Sequence, residues 1–378
     1  MISQRDNPGY AYCNKITPMT TSASLPTLLR VLLNASDAPV LGILRVQGAD
    51  AVPFLQGQLT QDVATLGMSE ARLAAWCSAK GRMLASFVVF KLAADDFALV
   101  CSHDLVASTL KRLKMYVLRA KCVVSDVSAQ YGLWGVTESA MHLGAAGALS
   151  IWPTARNESE NGPEIQITLP AGQWLAAQGT VRVPRALVLQ PGACAAQANA
   201  ADIALWHYLE ASSAIAPISA AVTEAYVPQM LNYESVGAVN FKKGCYPGQE
   251  VVARSQFRGT IKRRGYLVTS SAPIAAGFEV FDANDPSQPC GSVAFAASRP
   301  DSTSGQGMDS APAPHLAIIS LQTSAAQAAR LVALLASPAP VGPPVSPPVS
   351  TGTAPAADLA SVAVLTLVPL PYVLRDDI

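Results

Sequence analysis

Apolar and polar positions follow one another along this chain with a period that changes from segment to segment. Within a polar lead-in over residues 1–37, the apolar stretch 25–33, broken by Arg30, predicts a helix. Residues 42–46 form a short run of strand type. Gly48-Ala49-Asp50 then supplies a turn and a helix cap, and Val52, Leu55 and Leu59 give 51–59 a helical spacing. Strands are expected at 73–78, 83–92 and 97–101, with turns at Lys80-Gly81 and Asp95-Asp96. Asp104 caps a helix ending near residue 118, whose Lys111, Arg112, Lys114 and Arg119 make a basic stripe of the solvated kind. Strands follow at 121–126 and 133–136, and residues 153–163 are polar and loop-like. A helix spans 203–213, residues 217–235 are irregular, 236–241 reads as a strand, 244–248 as a tight turn and 249–255 as a short helix.

Beyond residue 259 the texture changes. Short strand-like runs at 265–269, 278–281, 291–296 and 317–321 are separated by Pro, Gly, Ser and Asp, the spacing of a small antiparallel barrel or sandwich. Residues 323–335 read as a helix, 337–357 as a flexible insert rich in Pro, Ala, Ser and Thr, and 362–368 as a closing strand. The organisation expected is a poorly ordered lead-in (1–37), a region 38–258 with an internal boundary near 126, and a C-terminal domain over 259–378.

Half of the 378 residues are apolar and only 14% are charged, which supplies core material and excludes global disorder. Lys plus Arg and Asp plus Glu both number 26, so whole-chain polybasic behaviour is excluded while a local basic face stays open. No uninterrupted apolar run reaches the ~18 residues of a membrane helix, and the N-terminus has no signal-peptide pattern. The expectation is a soluble cytoplasmic protein with no membrane partner. The seven cysteines (13, 77, 101, 122, 194, 245, 290) are odd in number and widely spaced, and the histidines are unclustered. Both facts argue against a disulfide framework and against an intrinsic metal site.

The stretch that carries chemistry is Asn240-Phe-Lys-Lys-Gly-Cys-Tyr-Pro-Gly-Gln-Glu-Val-Val-Ala-Arg254. Gly244 and Gly248 permit a tight turn that opens toward a helix N-terminus. Cys245 sits in that turn beside Lys242 and Lys243, a setting expected to lower a thiol's pKa. A lone cysteine is more often a small buried hydrophobe, but its polar neighbours here are unlike a core strand. From Phe241 to Arg264 the cations Lys242, Lys243, Arg254, Arg258, Lys262, Arg263 and Arg264 face one acid, Glu250. Lys80-Gly81-Arg82 is a second basic turn. Tyr233, Tyr246 and Phe257 serve either core packing or stacking on a ring.

K-K-G-C-Y-P-G-Q-E-V-V-A-R followed by F-R-G-T-I-K-R-R resembles the signature of the YgfZ family, folate-binding proteins of iron–sulfur cluster assembly and repair. G-A-D-A-V-P-F-L-Q-G-Q-L-T-Q-D-V (48–63), C-S-A-K-G-R-M (77–83), Y-V-P-Q-M-L-N-Y-E-S-V-G-A-V-N-F (226–241) and P-L-P-Y (369–372) extend the likeness over about residues 38–376. The resemblance implies an α+β fold shared with the glycine cleavage aminomethyltransferase, three subdomains around a central hole, the last a β-barrel. It also implies tetrahydrofolate as the ligand, held through Glu210 in Trp206-His-Tyr-Leu-Glu210-Ala-Ser, where Ser212 stands in place of a glycine. Lys243, Tyr246, Gln249 and Arg254 are the further candidates for folate binding. Cys245 is the candidate redox or transient ligand thiol, which would share any cluster with a partner because one cysteine cannot hold it alone. Expected partners are iron–sulfur client or assembly proteins, including enzymes that modify tRNA. The alternatives are a folate-dependent one-carbon transferase, motivated by the shared fold, and a direct tRNA-binding module, motivated by the basic run at 254–264.

Overall fold

Period-2 segments dominate, and they assemble into two β-structures. The computed structural model describes residues 29–137, 154–158, 164–176, 179–194, 196–258, 261–300, 315–327, 330–334 and 362–375. Most of the lead-in and the whole 337–357 insert lie outside those residues. The first ten strands are β1 (Leu29–Leu32), β2 (Leu41–Gln47), β3 (Glu70–Cys77), β4 (Met83–Ala93), β5 (Asp96–Ser102), β6 (Val123–Asp126), β7 (Tyr131–Thr137), β8 (Thr154–Glu158), β9 (Ile165–Ala176) and β10 (Gly179–Pro191). They form one antiparallel sheet in the order β1-β7-β10-β9-β8-β3-β4-β5-β2-β6. Two short helices, α1 (Ala51–Gln56) and α2 (Val106–Val117), accompany its first half. The remaining strands, β11 (Arg263–Ser270), β12 (Glu279–Asp282), β13 (Gly291–Ser298), β14 (His315–Gln322), β15 (Leu331–Leu334) and β16 (Val362–Val368), close into the barrel β11-β14-β13-β12-β15-β16. The fold is α+β with a C-terminal β-barrel.

Helix α3 (Ala200–Ser212) joins these parts. Asn199 caps it, its side chain accepting from the Ala201 N–H at 3.0 Å. Leu205, Trp206, Tyr208, Leu209, Ala211 and Ser212 are buried and lie around most of its circumference, the mark of a helix covered on nearly every side. It crosses the sheet at Gly135 of β7, where a Cβ would lie 2.6 Å from the Trp206 ring. On its other side His207 meets Phe295 of the barrel edge-on at 5.9 Å. Ser212 donates to the Leu209 carbonyl (2.9 Å) and accepts from the Gln173 N–H (2.7 Å), so the serine ties the helix end to β9.

Several local expectations are corrected. Leu29–Leu32, expected as helix within the lead-in, is a strand: Leu29 and Val31 are buried, and pairing with β7 outweighs helical spacing over so short a run. Residues 154–158, expected as loop, form β8, the strand that joins the two halves of the sheet. The strand expected at 236–241 is a series of turns whose N–H groups go elsewhere, Ala238 to the Tyr233 carbonyl and Asn240 to that of Thr60. The helix expected at 323–335 is replaced by one short 3-10 turn (Ala325–Gln327) and strand β15, which pairs with β12 and β16. Alanine-rich propensity yields there to closure of the barrel.

Candidate functional site

A cavity opens between the two halves of the sheet and α3. Apolar side chains such as Leu73, Phe87, Val100 and Leu187 make most of its wall, and Ser86, Ser102, Cys101 and Tyr233 also reach it. Into this lining project Glu210 and Trp206 from α3 and Arg185 from β10. The empty volume, mouth included, is about 580 Å³.

The polar members of this lining are unevenly satisfied. Arg185 is 5% exposed in a strand that otherwise reads Val183-Pro-Arg-Ala-Leu-Val-Leu189. The pairing of β10 with β9 slips between Val183 and Arg185, a bulge of the kind that re-aims side chains beside functional sites. Arg185 Nε donates to the Pro170 carbonyl across that bulge at 3.1 Å, and the guanidinium lies 5.2 Å from the Trp206 ring centroid. Its Nη1 and the Trp206 Nε1 have no hydrogen-bond partner. Burial pushes the Glu210 carboxyl above its ordinary range, opposed by the charge of Arg185. Burial likewise pulls Arg185 down, opposed by Glu210. The two charges steady each other through space, yet donor and acceptor capacity is left over, which is costly in an apolar setting without a ligand. This combination suits a flat heteroaromatic molecule that carries both N–H donors and acceptors.

The signature segment lies elsewhere. Lys243 is buried and donates through Nζ to the carbonyls of Gln56 and, at 2.6 Å, Leu59. Thr60 accepts from the Ala75 N–H and donates to the Ala238 carbonyl at 2.8 Å, and Gln61 donates to the Gly237 carbonyl. Gly248, at φ +78°, caps α4 (Gln249–Phe257), and a Cβ on it would lie 2.4 Å from the Ser78 carbonyl oxygen. Gln229 donates to the Val252 carbonyl at 2.8 Å. The blocks 48–63, 77–83, 226–241 and 242–254 are therefore one stitched body, and its loop presents Cys245 at the surface.

The expected candidates consequently divide. Glu210 lines the cavity; Lys243, Cys245, Tyr246, Gln249 and Arg254 do not. The Lys243 ammonium, expected beside the thiol, is turned to the carbonyls of α1 and the turn after it, and burial pulls its pKa down to about 8. Tyr246 is buried under that ammonium, 5.2 Å from its ring centroid, and burial raises its phenol. Arg254 is exposed and pairs with Glu250 one turn away. Cys245 is the exposed thiol among the described cysteines. The basic run is not one face, because Lys243 and Arg264 are used inside, the latter on buried Glu234 at 2.9 Å. Sequence reasoning missed Arg185, although an arginine inside the apolar run Val183–Leu189 was the available signal. Among the described residues no three His, Cys, Asp or Glu side chains converge on a metal-sized site, and no helix is long and apolar enough to cross a membrane.

Comparison with known proteins agrees with this fold. The family described as GCVT N-terminal domain matches residues 30–137. A tRNA-modifying protein YgfZ from Yersinia pestis (strain Pestoides F) is 30% identical over 258 residues, covering 68% of this chain and 74% of its own length. Its counterpart from Yersinia pseudotuberculosis serotype IB (strain PB1/+) is 29% identical over the same shares. Among solved structures, the glycine cleavage system aminomethyltransferase T from Bartonella henselae superposes with a TM-score of 0.56 at 13% identity, over 92% of this chain and 86% of its own. That likeness shows the fold.

Proposed function

This chain is a member of the YgfZ family, and from that premise we propose that it is a tetrahydrofolate-binding accessory protein for iron–sulfur cluster assembly or repair. Its clients would include cluster enzymes that modify tRNA, which gives the relatives' name a place without direct RNA binding by this chain. The observation that carries the folate reading is that Glu210 lines one cavity with the under-satisfied Arg185 and Trp206. The residues fit the ligand. A pterin offers an amino group and a ring N–H side by side, which a carboxylate accepts as a bidentate pair. Apolar walls cover its faces. When bound, tetrahydrofolate supplies one-carbon or redox chemistry at its reduced ring; Glu210 holds that ring, and the cavity wall shields it from water.

Cys245 is the second working part in this proposal. It stands exposed on a loop braced by Lys243 and Gly248, so the thiol meets a partner without unfolding anything. It would act as a redox-sensitive or transiently ligating thiol toward a client's cluster, the other ligands coming from that client. The one-carbon transferase reading rests on the shared fold alone, which does not fix chemistry. The test is complementation of a strain lacking this gene with Glu210→Ala and Cys245→Ala, assayed through a cluster-dependent tRNA-modifying enzyme. Loss of client activity in both is expected. Full rescue by Cys245→Ala removes the thiol from the mechanism, and full rescue by Glu210→Ala removes the folate.

A further inference from the structure

Arg185 is a buried cation with too few partners. Isolated guanidinium groups are seldom left in apolar walls, because desolvation is recovered only through good hydrogen bonds. Here the chain provides one, from Nε to the Pro170 carbonyl, and leaves Nη1 with none. The strand bulges at this position, which frees the Pro170 carbonyl from the ladder and turns Arg185 to the cavity side. The guanidinium carbon lies over the indole of Trp206, 5.2 Å from its centroid, a cation–π contact that helps to hold it in place. A side chain held this firmly, with donors to spare, is prepared for an acceptor that arrives with the ligand.

We infer that Arg185 reads the ring carbonyl of the pterin, so that the site selects 4-oxo pterins over their 4-amino counterparts. The inference rests on the folate reading of this cavity and adds the residue that sets its selectivity. Ring chemistry dictates the assignment. A carboxylate that accepts from the 2-amino group and N3–H lies along one edge of the pterin, and the next atom on that edge is the 4-oxygen. A donor adjoining Glu210 in the same wall therefore meets that oxygen. In a 4-amino ring the same place carries N–H groups, which point donors at donors, and N3 loses its proton, which breaks the pair with Glu210. Sites built around such hydrogen bonds reject the analogue that lacks them, since the buried groups are then left unpaired.

The test is calorimetric titration of the full chain with tetrahydrofolate and with 4-amino-4-deoxytetrahydrofolate, ligands differing at that one substituent, under reducing conditions. Wild type is expected to bind the oxo ligand at least about tenfold more tightly than the amino one, the size of an unpaired buried group. Arg185→Met should weaken tetrahydrofolate by about the same factor and narrow the preference between the two ligands about tenfold, leaving only the share that Glu210 sets at N3, while Arg185→Lys narrows it less. Circular dichroism checks the fold; if Arg185→Met does not fold, the change in preference between wild type and Arg185→Lys decides. Equal affinities in wild type, or a preference as large in Arg185→Met as in wild type, overturns the assignment. If wild type binds neither ligand, the folate reading itself falls, a result distinct from equal binding of both.

Discussion

Lys243 and Glu210 show how two charged residues of similar prominence in the sequence take different work. Lys243 sits in the signature, yet its ammonium holds the carbonyls that end α1 and the following turn. Lys243→Met strands those carbonyls and should cost about 1–3 kcal/mol of stability, read from the urea midpoint. Its folded pKa, about 8, lies below the ordinary 10.5. The unfolded chain therefore binds the extra proton between those values, and stability rises with pH there. The margin of wild type over Lys243→Met should widen from pH 8 to 10.5 and be smallest below 8; a margin that shrinks over that window contradicts the burial argument. Glu210 was legible because a short helical motif places it. Arg185 was not, because its role depends on a bulge and on a partner strand 15 residues earlier in the chain. No local pattern encodes that contact.

At the scale of elements, α3 is the part on which the site depends, and its seat is a glycine. Gly135→Ala would drive a Cβ into the Trp206 ring, at 2.6 Å from its nearest atom. A rigid aromatic ring cannot yield by that much, so α3 must shift. The expected cost is about 1–3 kcal/mol, with weakened folate binding because Glu210 moves with the helix. Unchanged stability and affinity would mean that α3 is not fixed by this contact. The strands of the barrel were largely visible as short apolar runs between Pro and Gly, whereas β15 was hidden inside an alanine-rich run. Its identity comes from the neighbours it must pair with rather than from its own residues. The turns at 236–241 escaped for the opposite reason: an apolar run there packs as irregular backbone, because Thr60 and Gln61 meet its polar groups.

Across the whole molecule, the barrel is clamped to the sheet body by Arg264 on buried Glu234, by Asn232 bonded to both backbone groups of Gly265, and by Tyr372 donating to the Ala214 carbonyl. Glu234 is fully buried and its Oε2 has no partner, so Arg264→Met leaves a buried carboxylate with no countercharge and only the Ser235 hydroxyl donating to it, at 2.9 Å. Breaking such a pair from one side costs about 3–5 kcal/mol. Burial already holds the Glu234 carboxyl above its ordinary value. The penalty therefore enters as the pH rises through that raised value and is absent below the unfolded one. Thermal unfolding should show the deficit of Arg264→Met greatest at neutral pH and narrowing toward pH 4.5; a deficit constant with pH would mean that the pair is not the clamp. This joint matters to function because α3, which carries Glu210 into the cavity, touches both bodies. The account as a whole is tested most directly by titrating tetrahydrofolate into wild type and Glu210→Ala by calorimetry. One site is predicted in wild type, weakened on the order of 100-fold or more in the variant at unchanged circular dichroism, as loss of a bidentate charged pair requires. Equal binding by the two proteins, or none by wild type, would contradict it.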